Sequence, residues 1–154
     1  MVPSASSRPM YHLCKHDRFF IVRWEETTLR ALREIEGELV RYQRSVGHPL
    51  VYISLADDRT RNPDAEVQRA LVDFVDRHRD ALAHVYVVLE SKGFAAAAQR
   101  AVLSSMMMIS GRRGVVTVKS SMAEAVSEAL PGLGTSWPQV SAAMERDGVH
   151  SAKP

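Results

Sequence analysis

Acidic residues fall where strands should end: Glu25 and Glu26 after FFIVRW, and Asp57 and Asp58 after LVYISL. Ser91 follows VYVVLE and Lys119 follows VVTV. Carboxylates grouped with a lysine and a hydroxyl suit a Mg²⁺-dependent phosphoacceptor, because Mg²⁺ takes hard oxygen ligands. In an open parallel sheet the carboxyl ends of the strands share one edge, so an acidic crevice is expected there. Charged residues also simply populate solvent-facing loops, which is the plainer account of these.

Three further clusters invite chemical readings. His12, Cys14 and His16 alternate, so on a strand their side chains share one face, and His and Cys are good zinc ligands. Side chains two residues apart on a strand, however, stand about 6–7 Å apart. That is too far for one ion lying about 2 Å from each donor. A half-buried edge strand is the better reading, and no metal site is expected. SKGF precedes a helix with one glycine, short of both the dinucleotide fingerprint and the phosphate loop. Close packing is the simpler role for Gly93 and the alanines after it. No Gly-x-Ser-x-Gly elbow marks a nucleophile, so no catalytic residue is assigned and no enzyme activity or cofactor is expected.

The elements that must position these residues are well signalled. YHLCKH and FFIVRW, joined by Asp17 and Arg18, read as an antiparallel hairpin. Leu29, Leu32, Ile35, Leu39, Tyr42 and Val46 recur at helical spacing after Thr27 or Thr28 as cap, with Gly47 as the stop. LVYISL is apolar on both faces, as a central parallel strand is. A second helix is expected from Asn62 as N-cap and Pro63 in the first position, with Val67, Ala70, Leu71, Phe74, Val75 and Leu82 as its buried stripe.

The unit over residues 85–118 has a buried strand, an Ala- and Met-rich helix from about Phe94 to Ile109, a GRRG turn and a last strand. One helical crossover between two strands makes them parallel and places the chain in the α/β class. Arg112 and Arg113 suit that helix's C-terminal dipole. Ser121 and Glu124 are spaced as a capping box for a last helix through Leu130. Ser136 is placed to cap a short helix from Trp137 or Pro138.

The 154 residues suit one domain. Lys and Arg number 20 against 18 Asp and Glu, interspersed, which is not the basic stripe of a nucleic-acid binder. The lone Cys14 fits a reducing compartment, the first residues lack the apolar core of a signal peptide, and no run approaches the length of a membrane span. A cytoplasmic protein, binding neither membrane nor nucleic acid, is expected.

FFIVRW, LVYISLAD, VYVVLESKGFAAAAQRAVLS and VVTVKSSMAEAVSEAL together resemble the STAS-like, SpoIIAA-like domains, the anti-sigma-factor-antagonist fold and its bacterial relatives, over residues 11–130. The resemblance implies a non-enzymatic signalling domain that docks to a protein partner. Its regulatory members carry a phosphorylated serine in an Asp-Ser-x-Gly-like turn. Here ADDRTRNPDAE takes its place, with Thr60 the only hydroxyl and no glycine after it.

The expected fold is one α/β domain over 10–131, with a mostly parallel four- to five-stranded sheet, an N-terminal hairpin and about four helices. Residues 1–9 are expected to be a disordered tail and 132–154 a tail with room for one short helix. Asp57, Asp58, Arg59, Thr60, Arg61 and Asn62 are the expected partner contacts. Met106, Met107 and Met108, facing different ways on one helix, are candidates for a homodimer contact. The other reading is a receiver-like phosphoacceptor or small-ligand domain using the acidic crevice. Receivers have five βα units, and this chain offers about four.

Overall fold

Alternating apolar strands and amphipathic helices resolve, in the computed structural model, into one five-stranded sheet with helices on both faces. The structure describes residues 9–110 and 116–149. The expected N-terminal tail, apart from Pro9, and the GRRG turn with Arg112 and Arg113 lie outside the described residues.

β1 (Tyr11–His16) and β2 (Phe19–Trp24) pair antiparallel, turning at Asp17 with φ 52°. Aspartate is among the few residues that tolerate this left-handed conformation. β3 (Leu50–Ala56), β4 (Leu82–Leu89) and β5 (Val116–Lys119) then add in chain order, each parallel to the one before. α1 (Leu29–Val46), α2 (Ala65–Arg77) and α3 (Gly93–Ser110) are the crossovers. Three crossovers of one hand, all stepping the same way along the sheet, place these helices on one face. α4 (Met122–Ala129) and α5 (Trp137–Arg146) cover the other.

Local chemistry explains the ends. The Thr28 hydroxyl accepts the Ala31 N–H to start α1, and Gly47 closes it in the left-handed conformation, donating to Gln43 O at 2.8 Å. Ser121 and Ser136 cap α4 and α5 in the same way. Asp64, not Asn62, caps α2: its carboxylate accepts the Val67 N–H at 2.9 Å, which leaves Pro63 outside the helix. Leu82 likewise belongs to β4 rather than to α2, because the 3-10 turn Arg79–Ala81 ends the helical path. Gly93 takes φ 62°, and nothing lies within 4 Å of where a β-carbon would stand. Its role is therefore backbone conformation and not close packing.

The two faces are filled differently. Phe19, Ile21, Ile53, Leu55 and Val88 are sealed under α4 and α5, with Val140, Ala143, Met144 and Val149 from the C-terminal segment packed onto them. On the opposite face α1 buries Ala31, Leu32, Ile35 and Leu39 completely or nearly so. Under α3 the packing is looser: among its described side chains only Gln99 is buried.

Cys14 sits fully buried beneath α5. Burial, reinforced by a hydrogen bond to Asp147, pushes its thiol from 9.0 up to about 12. Burial and the Glu128 carboxylate raise Tyr86 from 10.0 to about 12. For such groups the stability conferred by the neutral form is complete below the unfolded pKa and is lost as pH rises through the folded one. The melting temperature is therefore expected to hold up to about pH 9 and fall toward pH 12. In the same samples a disulfide reagent at pH 8 should label Cys14 only after denaturation; rapid labelling of the native chain would contradict the buried placement.

Candidate functional site

The carboxyl edge begins with an arginine inside a strand. Alternation along β2 puts Arg23 on the face of Phe19 and Ile21, and its side chain is 13% exposed. A charge this buried needs partners. Glu25 supplies one at 2.9 Å and Asp57 another at 3.3 Å. Two of the acids expected to face an incoming metal are thus held by a cation of the fold.

The loop after β3 is braced from within. The Asp57 carboxylate accepts the Arg59 N–H at 2.9 Å. The Asp57 N–H donates to the Thr60 hydroxyl at 3.0 Å, and that hydroxyl donates to Trp24 O at 2.7 Å. The Arg61 N–H reaches Glu25 O at 3.0 Å, making a short parallel bridge beside the end of β2. Thr60, the only hydroxyl in the loop, is therefore a strut between two strand ends. The side chains of Asp58, Arg59, Arg61 and Asn62 are exposed.

The same loop is stitched to the start of α3. Asp58 accepts the Lys92 N–H at 3.0 Å, and Gln99 donates its amide to Asp57 O at 2.9 Å. Gln99 also accepts the buried Ser91 hydroxyl, which spends Ser91 internally. These contacts make residues 57–62 and the first turns of α3 one continuous surface. Phe94 stands on it 94% exposed. With Met108 at 85%, it is one of two large hydrophobic side chains that stand exposed among the described residues.

The expected crevice does not assemble. Lys119 pairs with Glu128 on α4 at 3.0 Å, on the opposite face from α3. Glu90 is buried at the end of β4, where its carboxylate accepts the Met122 N–H at 3.4 Å and faces the start of α4. The reason lies in the strand order. A carboxyl-edge crevice opens where neighbouring crossovers leave to opposite faces, and here the order runs 1-2-3-4-5 without a reversal. His12, Cys14 and His16 also part company, His12 toward Glu25 at 3.6 Å and His16 to Thr135 at 2.8 Å. No group of three or more His, Cys, Asp or Glu among the described residues is placed to hold a metal ion.

The three methionines divide. Met106 and Met107 are half-buried toward the sheet, whereas Met108 points outward with Phe94. Phe94, Ala98, Ala101, Ser105 and Met108 are all exposed at helical spacing, forming the outer stripe of α3. No helix among the described residues is long and apolar enough to cross a membrane. Compared with known proteins, the chain matches no family model, no curated protein and no solved structure.

Sequence reasoning missed Arg23, Gln99 and Phe94. For Arg23 a signal exists: it is the one charge inside an otherwise apolar strand. For Phe94 there is none, because an aromatic at the start of an Ala-rich helix reads as core until the helix's orientation is known.

Proposed function

We propose that this chain is a non-enzymatic regulatory domain of STAS-like type that docks to a protein partner through the carboxyl edge of its sheet. The observation that carries the reading is Phe94, fully presented to solvent beside a loop held rigid by side-chain hydrogen bonds. An exposed aromatic costs little entropy to bury and is a common anchor of interfaces. Arg59 and Arg61 on the loop and Lys92 and Arg100 near Phe94 in the chain are exposed, with Asp58 exposed among them. The matching partner surface is an apolar pocket for Phe94 with an acidic rim, the cations setting orientation and on-rate. Bracing of the loop lowers the ordering cost of association.

The test uses the full chain immobilised against extract of its native host, with bound proteins identified by mass spectrometry. A specific partner should be retained by the wild type and lost with the double substitution Arg59→Glu and Asn62→Ala, both at exposed positions. Undiminished capture by that variant would refute the loop's part in docking. A second copy of the chain recovered in the same way would make the partner a homodimer, with Met108 rather than Met106 or Met107 available to the contact.

A further inference from the structure

The loose packing under α3 leaves a partly open cavity of about 170 Å³. Its floor is the outer half of the sheet: Tyr52, Ser54 and Ala56 from β3, Val85, Val87 and Leu89 from β4, and Val116 from β5. The roof is Leu71 and Val75 of α2 with Val102, Leu103, Met106 and Met107 of α3. Native interiors are packed to crystal density, and on the opposite face of these same strands Ile53, Leu55 and Val88 are fully buried. Here Val87, in the middle of the sheet, remains half-buried.

The lining is mainly apolar, with Thr27, Thr60 and Asn62 also on it, and holds one buried polar atom left unpaired. Gln99 is committed to Ser91 and Asp57, and Ser54 accepts the Trp24 indole N–H at 2.9 Å. The Tyr52 hydroxyl is buried, and although Ser54 lies near enough to influence it, no group of the protein meets it with hydrogen-bond geometry. Burial pushes the phenol above its ordinary pKa, tempered by nearby Ser54, so it keeps its proton and remains a donor. An unsatisfied buried donor is costly, and a ligand acceptor relieves that cost. The charged residues on the lining, Arg61, Asp76 and Arg79, are all exposed at its margins.

We infer that this cavity is a binding site for a compact neutral molecule with an apolar body and one hydrogen-bond-accepting oxygen, received by Tyr52. The volume sets the size class, since apolar cavities of about 150 Å³ take up benzene. Methionine in the roof suits it to ligands of varied outline, because the unbranched thioether side chain repacks readily. Phe94 lies on the outer stripe of α3, away from this cavity, whereas Thr60, Arg61 and Asn62 of the docking loop stand on its lining.

Titrating p-cresol and toluene into the full chain, followed by methionine-methyl NMR, tests it. Saturable shifts are expected at Met106 and Met107, with Met122 and Met144 under the opposite face unmoved. p-Cresol should bind about 3- to 10-fold tighter than toluene, the span of one neutral hydrogen bond. Tyr52→Phe should erase that preference while leaving toluene binding intact. Val87→Phe should fill the space and abolish both titrations, with the Met122 and Met144 signals reporting that the fold is kept. Should that variant not fold, the Tyr52→Phe comparison decides alone. Absence of saturable shifts at Met106 and Met107, equal affinity for the two probes, or a preference surviving Tyr52→Phe would overturn the assignment.

Discussion

Truncating Ile53 to alanine is expected to destabilise the chain by about 2–5 kcal/mol, whereas enlarging Val87 to leucine, one strand away, is expected to cost nothing or to stabilise it. Ile53 is fully buried and belongs to the face sealed by α4 and α5. Removing its methyl groups loses transfer free energy and leaves a cavity among side chains that cannot close on it. Val87 faces the opposite way, across from Ser54 in the parallel register, and lines the space under α3. Added atoms there meet room, where overpacking a filled core typically costs about 1–3 kcal/mol. Chemical denaturation of the two variants measures both numbers in one experiment. Equal destabilisation by the two would mean that α3 packs as tightly as α4 and α5 do.

The second large effect concerns binding without stability. Phe94→Glu should lower affinity for the captured partner by about 30-fold or more, corresponding to an anchor worth about 2 kcal/mol. Its melting temperature should stay close to that of the wild type, because substitutions at exposed positions without special partners usually lie within about 0.5 kcal/mol. Phe94 is 94% exposed and begins a helix whose fold-facing residues are Gln99, Val102, Leu103, Met106 and Met107. A residue kept for packing would show the reverse pattern, losing stability before affinity.

Elements written in local chemistry were legible from the residues. The hairpin at Asp17, the Thr28 cap and Gly47 stop of α1, the Ser121 cap of α4 and the Ser136 cap of α5 are each set by neighbours a few positions apart. Asn62 and Asp64 show the limit of such reasoning. Both are good caps on either side of Pro63, and only the path of the chain chooses Asp64. Strand order is set by burial across long separations, so it had no local signature. The convergence of Asp57, Asp58 and Lys119 rested on that order and fell with it, Lys119 going to Glu128.

The docking surface was half legible. Residues 57–62 could be placed at a strand end, but their bracing through Arg23 and Trp24 comes from a strand 34 to 36 positions away in the chain. The cavity was not legible at all. Val85, Val87 and Leu89 read as core whether or not the helix above them closes fully, and Met106 and Met107 read, with Met108, as a subunit contact.

The most direct measurement replaces Phe94 with a photoreactive benzoyl-phenylalanine and irradiates the chain in native-host extract, alongside a second version carrying the same group at the exposed Arg41 on α1. Docking through the carboxyl edge predicts one defined protein crosslink from position 94 and none from position 41. Equal labelling from both positions, or none from position 94 while the partner still binds, would contradict it.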